Sequence, residues 1–327
     1  MVGPKLIFKW LWVWGTFPVK AWIVAADFYK EGQFDKAAKA YELGLTTHAK
    51  HPAAVSASLD LAYCYQRLGR ITQAEEVLKS IISEHPSLIE AYARFARVKL
   101  TLGKAADAVL VLRRAIVEQG FSTELVALLV NAYVENELLP RNVGAELREI
   151  VDGLSAEARK DTKLEVAIVR WQLKDEPQSR AQHLETLKSL AEKSGAHIDA
   201  IIAWAEELLA DGKLEDARTQ ISRLVKANCE VARMYSLLAE TYLADGTSFE
   251  PIYAVQHAVK ACQLSGWASP RELHVLAESY YHAEDKMGAL LVASKALDLG
   301  RKQIGVYPRT TRLQKLVDTL QEEGTLY

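Results

Sequence analysis

Apolar and small side chains recur along this chain in paired blocks, each pair divided by one glycine. The stretch "LDLAYCYQRLGRITQAEEVLKSIISEHP", Leu59 to Pro86, shows the unit. Ala62 stands seven places before Gly69, Tyr65 four before it, Ala74 five after it, and Pro86 closes the block. The same offsets return as Ala96, Gly103 and Ala108, 34 residues on. They return again as Ala205, Gly212 and Ala217, and then as Ala239, Tyr242 and Gly246, 34 residues after that. Upstream, Ala25, Phe28, Gly32 and Ala37 fit the frame; near the end Ala277, Tyr280 and Ala289 fit it with Glu284 in the glycine's place. Each block predicts two antiparallel helices. They approach closely only where neither carries a bulky side chain, and glycine accepts the left-handed conformation that ends the first of them.

These blocks resemble the tetratricopeptide repeat family. The resemblance implies an all-α, right-handed α-solenoid of about eight antiparallel helix pairs covering nearly the whole chain. Residues 19–120 hold three clear units and residues 198–300 three more. The span 121–197 lacks the repeat glycine and is expected to be helical, with a bend. After Pro308, "RTTRLQKLVDTLQEEG" reads as a polar end helix within a cap of residues 301–327, which an open stack requires. The prolines fall where a missing N–H does least harm: Pro52, Pro86 and Pro140 between helices, and Pro177, Pro251 and Pro270 at first turns. Ser269-Pro270-Arg271-Glu272 has the spacing of a capping box. No segment reads as a strand.

Composition narrows the chemistry. A formal net charge of -2 offers no basic surface for nucleic-acid phosphates. Cys64, Cys229 and Cys262 are far apart and set among apolar residues, so they read as reduced, buried thiols in a cytoplasmic protein. His48 and His51 share a turn without a third metal ligand, and no nucleophile elbow, phosphate loop or HExxH run occurs. The Asp and Glu residues fall on helical faces that solvation already explains. The chain reads as a non-enzyme without cofactor or metal.

In the resembling family, first helices line a groove, with inward side chains six and nine places before the repeat glycine. Transferred here, that pattern nominates Tyr63, Arg94 and Arg97, with Asp60 and, by helical spacing, Gln66, Arg67 and Asn131. Further on it nominates Glu206, Glu240 and Glu278, an acidic stripe if all three face inward. A solvated charged face accounts for them equally. The chaperone-tail clamp of some members needs paired asparagines, and the matching positions hold Ala26, Tyr63 and Arg97 instead, so that function does not carry over.

Residues 1–18 stand apart. Lys5 and Lys9 share one helical face beside Trp10, Trp12 and Trp14. The uncharged run from Trp10 to Val19 is about half the roughly 20 residues a spanning helix needs. Three readings remain: attachment to a membrane surface or a membrane protein, a cover over the first repeat, or an export signal. The expected function is a protein-interaction scaffold holding partner segments in its groove, peripheral at a membrane, in a bacterial envelope assembly. An accessory subunit of a membrane enzyme complex, such as a glycosyltransferase or polysaccharide-export system, is the alternative. The expected partners are proteins, including an integral membrane protein, and no nucleic acid.

Overall fold

A computed structural model of the chain describes residues 18–135, 143–193, 195–244, 249–302, 307 and 309–324. Among these residues every regular element is helical. The helices are α1 (Pro18–Lys30), α2 (Phe34–His48), α3 (Ala54–Arg67), α4 (Ile71–Glu84), α5 (Ile89–Thr101), α6 (Ala105–Gln119), α7 (Thr123–Glu135) and α8 (Val143–Asp152). There follow α9 (Thr162–Asp175), α10 (Arg180–Glu192), α11 (Ile198–Ala210), α12 (Leu214–Lys226) and α13 (Ala232–Leu243). The last four are α14 (Pro251–Leu264), α15 (Pro270–His282), α16 (Lys286–Arg301) and α17 (Thr310–Gly324). In chain order they form eight successive pairs and a terminal helix, the solenoid class that the repeat implies.

The repeat positions do the packing that their size predicts. Ala25, Ala62, Ala96, Ala205, Ala239 and Ala277 on first helices, and Ala37, Ala74, Ala108, Ala217 and Ala289 on second helices, are all at most 1% exposed. The glycines end first helices as expected. Gly32, Gly69, Gly103 and Gly212 have φ between 70° and 74°. At Gly212 the glycine N–H donates to the Leu209 carbonyl (3.1 Å) and the next N–H, of Lys213, reaches back to Leu208 (2.8 Å). This pair of bonds satisfies carbonyls that the helix end would leave open. Glu284 repeats it without being glycine: φ is 64°, its N–H donates to Tyr281 (3.1 Å), and the Asp285 N–H donates to Tyr280 (2.9 Å).

Two expectations need correction. Ser269 has the extended backbone of an N-cap, but its hydroxyl makes no capping bond. Ser269 and Glu272 are both buried, at 1% and 4% exposed. Of the three cysteines, Cys64 and Cys262 are buried, whereas Cys229 is half-exposed in the turn after α12.

The chain divides into two compact units, the first ending at Val98 and the second beginning at Lys99. In the first unit Phe28, Tyr41, Leu61, Cys64, Leu78 and Tyr92 are core residues. Trp22, on α1, is also buried there: its indole lies where a Cβ on Gly44 would stand, 2.5 Å from Nε1, and its ring meets His51 edge-on at 5.0 Å. In the second unit, α7, α9, α11, α13 and α15 each pack on the next, making one wall of first helices. Leu187, Ile221 and Met234 fill one core cluster of this unit, and Leu273, Leu276 and Leu313 another, the last bringing α17 onto the stack.

Candidate partner-binding surface

In the first unit, Tyr63 on α3 lies within a group of aromatic rings. Its ring centroid is 5.4 Å from that of Tyr29 on α1 and 6.0 Å from that of Phe34 at the start of α2. Tyr29 and Phe34 are 5.9 Å apart and perpendicular, a geometry that sets ring edge against ring face. The Arg67 guanidinium sits 4.8 Å above the Phe34 ring and donates to the Tyr63 hydroxyl (3.3 Å). All four side chains are half-buried, so one edge of the group meets solvent.

Asp60, three residues before Tyr63, accepts from the Tyr41 hydroxyl (3.2 Å). Burial raises its pKa, opposed by that hydrogen bond and by Arg94. Burial, with Tyr63 and Asp60 nearby, pushes the Tyr29 phenol up to about 12. Arg94 does structural work: Nη1 donates to the Leu59 carbonyl of α3 (2.7 Å) and Nη2 pairs with Glu90 (2.6 Å). Arg97 is exposed on α5, and Gln66 is half-buried on α3 with its carbonyl bonded to the Gly69 N–H (3.0 Å). The repeat frame missed Tyr29 and Phe34, the first because it lies three places from the glycine and the second because it opens a second helix.

In the second unit the structure joins Asn131, Glu206 and Glu240 to four residues that the sequence reading did not nominate: Glu135, Arg170, Arg233 and Arg271. Arg170 on α9 donates to Asn131 Oδ1 (2.9 Å), to Glu135 Oε1 (3.1 Å) and to Glu206 Oε2 (3.2 Å). Arg233 on α13 donates to Glu206 Oε1 (2.7 Å) and Glu240 Oε1 (3.1 Å). Arg271, at the start of α15, donates to the other oxygen of Glu135 (2.7 Å). These six charged side chains retain only 15% to 24% exposure.

The acidic stripe is therefore neutralised from within. Burial alone would raise the Glu135 pKa, but Arg271 and Arg170 outweigh it and hold the carboxyl below the ordinary range. The same balance, with Arg233 and Arg170 as counter-charges, lowers that of Glu206. Glu278 belongs to a separate group with buried His274 (3.3 Å) and Arg312 (2.6 Å). Its pKa is lowered too, because the hydrogen bond and charge of His274 and the charge of Arg312 exceed the cost of burial. A signal for one of the arginines was present: Arg233 stands seven residues, two helical turns, before Glu240, with which it pairs.

The Glu135–Arg271 bond also fixes the form of this wall. Four lateral steps separate α7 from α15, and at about 9 Å per helix contact a flat wall would place them about 36 Å apart. No glutamate and arginine side chains span that gap, so within this unit the wall curls until side chains of its first and last helices meet.

Lys5, Lys9, Trp10, Trp12 and Trp14 lie outside the described residues. Among the described residues no helix is long and apolar enough to cross a membrane, and no group of three or more His, Cys, Asp or Glu side chains is arranged to hold a metal ion.

Comparison with known proteins places these features. Family models described as tetratricopeptide repeat match residues 28–95 and 202–248. No curated protein matches the sequence. The fold is similar to a chain of the APC/C hetero-tetramer Cut9-Hcn1, with a TM-score of 0.63 at 13% identity over 95% of this chain. This chain spans 64% of that one. Looser likenesses at 14% identity join it to a tetratricopeptide repeat protein from Parabacteroides merdae, with a TM-score of 0.38, and to the TPR2AB domain of yeast Sti1 in its complex with pHSP90, with a TM-score of 0.32. Each covers 93% of this chain and 98% of the other, and neither adds to the fold assignment. With matched repeats in both units and buried alanines at every legible repeat position, the chain is a tetratricopeptide repeat protein.

Proposed function

We propose that this chain is a protein-interaction scaffold whose first-helix faces take segments of partner proteins, and that residues 1–18 set it against a membrane surface. The observation that carries the first half is the half-buried group Tyr29, Phe34, Tyr63 and Arg67: large rings and a guanidinium with one solvent edge. Aromatic and arginine side chains in such settings supply a disproportionate share of binding energy at protein interfaces. Lys5 and Lys9 beside Trp10, Trp12 and Trp14 support the second half, since basic and aromatic residues together favour the headgroup zone.

Arg97→Glu probes partner capture from an exposed position on α5. Immobilised full chain should retain a stoichiometric protein partner from a lysate of its source organism, and R97E should retain less while keeping the helical circular dichroism of the parent. Capture of nothing by the parent chain discards the scaffold reading. For the membrane half, the full chain should sediment with vesicles containing anionic phosphatidylglycerol, and a chain beginning at Val19 should stay in the supernatant. Equal behaviour of the two forms removes the surface placement.

A further inference from the structure

The network on the inner wall of the second unit contains a carboxylate that behaves as a bound ligand. Arg170, Arg233 and Arg271 project from α9, α13 and α15 toward one place, and the three carboxylates among them are not held alike. Glu206 and Glu240 stand inside α11 and α13, and both are bonded to Arg233. Glu135, on α7, spans the inner face, with one oxygen on Arg170 and the other on Arg271, 136 residues away in sequence.

We propose that Arg170 and Arg271 form a binding site for an acidic side chain of a partner protein, and that Glu135 is its built-in competitor. The inference rests on the scaffold reading and names the chemistry of the segment it would take. Charge bookkeeping favours an exchange. Three arginines and three glutamates leave the network neutral, and replacing Glu135 by an incoming carboxylate keeps it so. The cost of drawing the guanidiniums out of water is met by the fold before any partner arrives, so the incoming group must supply its own desolvation and displace Glu135. The paired side chains keep about a fifth of their surface exposed, so a carboxylate can reach them from solvent. Planar guanidiniums from two helices match the two oxygens of one carboxylate, as they already do for Glu135. A basic segment, by contrast, would find Glu206 and Glu240 already neutralised.

The test uses the full chain and a fluorescein-labelled hexaglutamate peptide, read by anisotropy. Glu135→Gln removes the competitor's charge, and this variant should bind the peptide at least about tenfold more tightly than the parent, about 1.4 kcal/mol. Adding Arg271→Gln to it should abolish the gain. Because Glu135→Gln leaves the network with one uncompensated positive charge and can lower stability, thermal melting supplies a second reading: hexaglutamate should raise the melting temperature of E135Q and leave that of the double variant unchanged. Equal peptide affinity in parent and E135Q, together with no peptide-induced rise in melting temperature, overturns the proposal. Displacement of the peptide by an equal charge concentration of inorganic phosphate would mark a general anion site and overturn the assignment to an acidic protein segment. If the parent chain captures a protein while E135Q gains nothing for hexaglutamate, this inference fails and the scaffold reading stands.

Discussion

Gly212 and Glu284 occupy the same place in two repeats, and the difference between them is a measurable conformational cost. Both have a positive φ, 74° and 64°. A Cβ added at Gly212 meets no atom within 4 Å, so Gly212→Ala adds no clash. It should still destabilise the chain by about 1–2 kcal/mol, the cost of holding an L-residue in the left-handed region. Glu284→Gly runs the other way and should stabilise by about 0.5–1 kcal/mol, because relief of that cost exceeds the freedom glycine adds to the unfolded chain. Thermal melts read both, and a glycine at position 284 that lowers the melting temperature would contradict the assignment. Gly44 differs from these, since the obstacle there is the Trp22 indole itself. Gly44→Ala should cost about 1–3 kcal/mol by overpacking, with a red-shifted Trp22 emission as the ring is forced outward.

Helices were legible because each is written several times over, and the charged wall was not because its contacts join helices that the repeat treats separately. Ala62 and Gly69 announce a close helix contact by offset alone, whereas nothing local pairs Glu135 with Arg271. Arg170 was hidden further by lying in the stretch without a repeat glycine to set its register, and Phe34 by entering from a second helix. Glu206 and Glu240, nominated as an acidic stripe, are ion-paired to Arg170 and Arg233 instead. At the level of this wall, acid is the informative variable. Glu135, Glu206 and Glu278 have lower pKa values folded than unfolded, so the unfolded chain takes up protons first as the pH falls. The stability they contribute is full above about pH 4.5 and is lost as the pH drops through their depressed folded values. The melting temperature should therefore decline between about pH 5 and pH 3, and Glu135→Gln should make that decline shallower. An identical slope in parent and variant would mean that Glu135 is not ionised in the network.

Three cysteines distributed over the chain turn its opening into separate signals. Cys229 is half-exposed in the turn after α12, whereas Cys64 in the first unit and Cys262 in the second are fully enclosed. Burial, with Asp60 close by, pushes the Cys64 thiol up to about 12, and burial likewise raises that of Cys262, so neither offers thiolate without local opening. A thiol reagent at neutral pH should label one site rapidly, Cys229, and the other two at the slower rate of structural opening. In an array stabilised mainly by neighbouring contacts, a lesion should be felt most in the unit that carries it. Gly44→Ala, beside Trp22, should accelerate labelling of Cys64 more than that of Cys262, and Glu135→Gln should do the reverse. Mass spectrometry of digested, partly labelled protein distinguishes the sites. If both variants accelerate both buried thiols equally, opening is a single event for the whole chain, and the ion-pair wall stabilises the first unit as much as the second.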